Sequence, residues 1–138
     1  MKHLILASLF IVFSSFARAQ LNQSQSQIMQ LMANDNNWKF DGLGHDKAGY
    51  PFLSYQSKEK NWTKTFYFNT NDSCKIIKLI IPNDQLSDVV KDMNNKFTSQ
   101  GGYLWFDKLE KILYGIVLTN NRPFFEVYQT KSTTMWIR

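Results

Sequence analysis

Residues 63–97 read TKTFYFNTNDSCKIIKLIIPNDQLSDVVKDMNNKF, and this stretch decides the fold. Its first seven residues alternate, with Thr63, Thr65, Tyr67 and Asn69 on one side and Lys64, Phe66 and Phe68 on the other, the period of a strand. The second set, with its two phenylalanines, is expected to face a core. Asn69 to Ser73 is a run of turn-forming side chains. Cys74 to Ile81 is then apolar on both faces: Ile77, Leu79 and Ile81 on one, Ile76 and Ile80 with Cys74 around Lys78 on the other. Such a strand is expected at the middle of a sheet, covered on both sides. Pro82 stops it, and Asn83 or Asp84 can cap a helix that starts there. Leu86, Val89, Val90, Met93 and Phe97 recur at helical spacing, which predicts a helix over 83–97 with its apolar stripe on the sheet, ended by Gly101-Gly102.

On the N-terminal side, Phe52 to Gln56 alternates as a further strand and Ser57 to Asn61 is a polar turn. Asp41 to Pro51 holds three glycines and a proline in eleven residues and is expected to be a loop, preceded by a short strand at Trp38 to Phe40. Leu21 to Asn34 is predicted helical, with Ser24 and Gln27 spaced as a capping box and Ile28, Leu31 and Met32 on one face. Toward the other end, strands are expected at 103–107, 112–118 and 124–129, joined by short connections that favour antiparallel pairing; residues 133–138 add an edge strand or trail. The fold class expected is α+β: a single two-layer domain with a mainly antiparallel sheet of five to six strands, in the order helix, three strands, helix, three strands. That order resembles the small secretion chaperones, whose sheet binds a partner; the resemblance lies in element order alone and includes no motif.

Met1 to Gln20 has a basic start, an apolar run of about ten residues and then Ala17-Arg18-Ala19, the small-x-small pattern of a cleaved export leader. Residues 1–19 are expected to be a signal peptide and 20–138 the mature domain, periplasmic or secreted. The run is shorter than the roughly 20 residues that cross a bilayer. Without the leader the chain keeps 14 basic and 11 acidic residues, a formal +3, with Arg122 and Arg138 its only arginines. The lysines are scattered among acids, not gathered in the basic stripe that nucleic-acid binding requires. Cys74 is the only cysteine, so an intramolecular disulfide is impossible; a small buried hydrophobe is its expected role.

No motif for catalysis, metal or cofactor binding stands in the sequence, so no catalytic residue, metal ligand or cofactor is assigned. Gly42-x-Gly44 lacks the rest of a dinucleotide fingerprint. His45, the only histidine after the leader, lies between Asp41 and Asp46 and supports the alternative of a small hydrolase or metal-dependent enzyme built on the 41–51 loop. The aromatic content points elsewhere. Exposed aromatics on strands bury large area while keeping a polar tip, and His45, Tyr50, Tyr67, Tyr103 and Trp105 are the expected binding residues. The function expected is an exported binding module that recognises a protein or peptide through a sheet face or edge. A homodimer is one form of such a partnership; a glycan ranks behind a protein, and neither nucleic acid nor a membrane span is expected.

Overall fold

The computed structural model describes residues 20–131; residues 1–19, expected to be a signal peptide, and 132–138, which include the expected edge strand or tail, lie outside the described residues. Two α-helices and eight strands occur in the order α1 (Gln25–Ala33), β1 (Trp38–His45), β2 (Pro51–Ser57), β3 (Thr63–Phe68), β4 (Cys74–Pro82), α2 (Leu86–Lys96), β5 (Thr98–Ser99), β6 (Leu104–Asp107), β7 (Ile112–Leu118) and β8 (Phe124–Thr130) among those residues. The strands make one antiparallel sheet in the order β1-β2-β3-β4-β8-β7-β6-β5. Each helix is followed by a four-strand meander, and the two meanders join where β4 pairs with β8.

This corrects the expected fold class. The sheet has eight strands, not five or six, and four strands, not three, follow each helix, so the order also departs from that of the secretion chaperones. In the first half, β1 continues through Asp41 to His45, residues whose glycines read as a loop. Gly44 pairs with Phe52, and a Cβ at Gly44 would stand 3.0 Å from the Phe52 ring. The missing side chain lets the ring lie across the edge strand, so glycine here serves packing and not a turn. In the second half, the predicted helix gives up its ends. Asn83–Gln85 is a single 3-10 turn, and Phe97 is already extended. Thr98–Ser99 then begins the second meander, and Gly101-Gly102, both at positive φ, turn it into β6 instead of closing the helix.

Alternation sets the faces. The register aligns Leu53, Phe66, Ile77, Gln129, Tyr114 and Trp105 across the sheet, and the next row holds Tyr55, Lys64, Leu79, Val127 and Ile116. These side chains are buried, and their apolar members form one cluster with Ile28 and Met32 of α1 and Val89 and Met93 of α2. Both helices therefore pack on the same face. The capping box starts α1 as predicted: Ser24 Oγ accepts from the Gln27 amide, and Gln27 Oε1 from the Ser24 amide. On α2, Val89 and Met93 are fully buried while Leu86 and Val90, with Phe97 just past the helix, flank them. Two indoles are fixed by side-chain acceptors at or just before α2: Trp62 donates to Gln85 Oε1 at 3.0 Å and Trp105 to Asn94 Oδ1 at 2.8 Å.

The opposite face carries no helix among the described residues. The strand at the centre is β4, as expected, but helices cover only one of its sides; Ile76 and Ile80 are half-buried on the other. Cys74 is fully buried in the core cluster, and burial pushes its thiol up to about 12.

Candidate binding site on the open sheet face

The helix-free face presents Phe52, Tyr67, Ile76, Lys78, Ile80, Glu126 and Tyr128 from β2, β3, β4 and β8, all half-buried. Aromatic and aliphatic side chains here surround a few polar groups, the composition that binding surfaces use. At the centre Lys78 Nζ lies 3.5 Å from Glu126 Oε2, and the Tyr128 hydroxyl donates to Glu126 Oε1 at 3.0 Å. Burial works against the Lys78 charge, but Tyr67 and Glu126 outweigh it and hold the ammonium above its usual range. Burial and the adjacent Glu126 carboxylate push the Tyr128 phenol up. Lys78 therefore keeps its charge and Tyr128 its proton at physiological pH.

Beside this group opens a pocket of about 330 Å³. Strand residues Tyr67, Ile76 and Tyr128 line it from the sheet, and two hairpin ends supply Asp46 and Tyr50 from one and Asn69 and Lys75 from the other. Each hairpin end is built by one side chain. Asp46 Oδ1 accepts from the amides of Ala48 and Tyr50 at 3.0 and 2.8 Å, and Gly49, at φ +89°, completes the turn. Asn69 Oδ1 accepts from the amides of Asn71 and Ser73, both at 3.0 Å. These are Asx turns, which fix a loop by internal bonds and not by packing. Phe52 lies 6.0 Å from Tyr67, ring to ring, and extends the aromatic surface toward Gly44.

Of the residues expected to bind, Tyr50 and Tyr67 come together at this pocket. His45 pairs with Pro51 at the end of the edge strand, exposed and outside the lining. Tyr103 and Trp105 belong elsewhere: the Trp105 ring is buried under α2, with Tyr103 stacked at 6.2 Å and half-exposed beside that helix. Asp41, His45 and Asp46 do not form a cluster, and no group of three or more His, Cys, Asp or Glu side chains among the described residues could hold a metal ion. Sequence patterning does not single out Ile76, Tyr128, Asn69 or Lys75. Alternation on β8 places Tyr128 with Glu126, but its position opposite Lys78 comes only from the β4–β8 pairing, which joins residues some fifty positions apart.

Compared with models of protein families, with curated proteins and with solved structures, the chain shows no significant match. Among the described residues no helix is long and apolar enough to cross a membrane.

Proposed function

We propose that the protein is an exported binding module that takes a segment of a protein partner on its open sheet face, with the Tyr67–Ile76–Tyr128 pocket as the anchoring point. The observation that carries this reading is the pocket itself. It is a mostly apolar hollow of about 330 Å³, within the range of small-molecule and side-chain sites, on the one face of the sheet that no described helix covers. Anchoring pockets of this kind, filled by one large side chain and ringed by weaker contacts, carry most of the energy of an interface. The leader pattern at Met1 to Ala19 supports export.

Site-specific photocrosslinking tests the proposal. A benzophenone amino acid placed at Phe52 or Ile80, on the open face, is expected to give discrete adducts in cells that export the protein. The same probe at Leu109, exposed on the β6–β7 turn, serves as the control. Equal labelling from both positions, or none from the open face, overturns the proposal.

A further inference from the structure

The two hairpin ends that frame the pocket differ in the groups they leave for a ligand. At one, Asp46 Oδ1 is taken by two amides of its own turn, which leaves Oδ2, an acceptor that cannot donate. At the other, the Asn69 carbonyl oxygen is taken by two amides of its own turn, which leaves the Asn69 side-chain NH₂ and the Lys75 ammonium. The ammonium is held by Asn22 Oδ1 at 3.0 Å. That acceptor is neutral, so it positions the charge without cancelling it, and two of the three ammonium protons are left over. Lys131 shares an adjoining cleft with Lys75, which adds a second cation at this end. Lys78, by contrast, is already matched by Glu126.

From this arrangement, resting on the binding reading above, we infer that the pocket selects a partner segment in which an aromatic or large apolar side chain stands next to a carboxylate. The side chain fills the space over Tyr67, Ile76 and Tyr128, and the carboxylate meets Lys75 and the Asn69 amide, at the end away from Asp46. A neutral oxygen at that end can accept from the same donors but does not meet the Lys75 charge, and a charge-assisted hydrogen bond is roughly twice as strong as a neutral one.

The test uses 3-phenylpropionate and its neutral counterpart 3-phenylpropanol, titrated into the mature protein and followed by amide and side-chain NH₂ chemical shifts. The acid is expected to shift Tyr67, Ile76 and the Asn69 NH₂ and to bind about five- to tenfold more tightly than the alcohol, the gain of one charge-assisted hydrogen bond at a partly exposed site. Lys75→Met is expected to abolish the preference, bringing the acid down to the alcohol's affinity. Equal binding of the two compounds to the unaltered protein, or an unchanged preference in Lys75→Met, overturns the carboxylate selection. So does 3-phenylpropylamine binding as tightly as the acid, which would put Asp46 in control of the site. Failure of all three compounds to shift the pocket residues overturns the pocket as an anchoring site. Laurate binding far more tightly than 3-phenylpropionate would assign the site to lipid acids and overturn the protein-segment reading.

Discussion

Lys78 and Glu126 lie on adjoining central strands, diagonal to each other in the β4–β8 register, and their charged ends meet at 3.5 Å on the helix-free face of the sheet. Their side chains are 17% and 19% exposed, too covered to be a solvated surface pair and too open to be a buried one. Glu126 also receives the Tyr128 hydroxyl, so one carboxylate organises both a cation and a phenol.

Glu126→Ala is therefore expected to destabilise the protein by about 1–2 kcal/mol in urea unfolding, between the values of exposed and buried pairs. Glu126→Gln keeps an acceptor for Tyr128 and should lose less. The double replacement Lys78→Met with Glu126→Leu should return to within about 1 kcal/mol of the parent, because it removes the half-desolvated charges together. A double variant as unstable as Glu126→Ala would show that the pair is not what the stability depends on.

Lys64 gives the protein a distinctive pH dependence. It lies on the covered face at 1% exposure, between the Trp38 and Phe66 rings. Burial lowers its ammonium to about 7, against the opposing pull of Asp35 and Cys74. Between pH 7 and the unfolded value of about 10.5 the unfolded chain binds more protons at Lys64 than the native one, so this group makes stability rise with pH, at up to about 1.4 kcal/mol per pH unit. Cys74 acts in the opposite sense above about pH 9, since its thiol stays protonated only in the native state. Stability should thus climb from pH 7 to about 9 and then level or fall. Lys64→Met should flatten the rise; denaturant midpoints at pH 7, 8 and 9 decide it.

The two helix faces separate in the same kind of measurement. Val89 is fully buried against the sheet, whereas Val90 stands at the edge of the stripe. Val89→Asp places an unpaired carboxylate in the core and should cost about 3 kcal/mol or more. Val90→Asp can turn its carboxylate to water and should cost about half as much. Equal losses in thermal unfolding would mean that α2 is rotated from the orientation described.

What could be read from the chain and what could not divide along a physical line. Alternation in Thr63 to Phe68, the stripe from Leu86 to Met93 and the Ser24–Gln27 box are local patterns, and each acts where the sequence places it. Gly42 and Gly44 show the limit. Glycine signals both a turn and a place where another group comes close, and only the Phe52 ring across from Gly44 reveals which applies. Strand β5 is two residues long and carries no period at all. The pocket is half-legible for the same reason: Tyr50 and Tyr67 sit in recognisable turn and strand contexts, while Ile76 and Tyr128 join them only through strand pairings that no local pattern encodes.

The Asp46 turn links this local chemistry to binding. Gly49 holds φ +89°, and a Cβ added there would meet no atom within 4 Å. Gly49→Ala thus tests backbone conformation alone, and should cost about 1 kcal/mol in stability. If the turn sets Tyr50 at the pocket mouth, the substitution should also weaken binding of the neutral 3-phenylpropanol several-fold, and Asp46→Ala, which removes the acceptor for both the Ala48 and Tyr50 amides, should do the same without touching the sheet lining. Both variants should leave the chemical shifts of the α2 face unchanged. Binding that survives both substitutions intact would show that Tyr50 takes no part in the site, and would confine it to Tyr67, Ile76 and Tyr128.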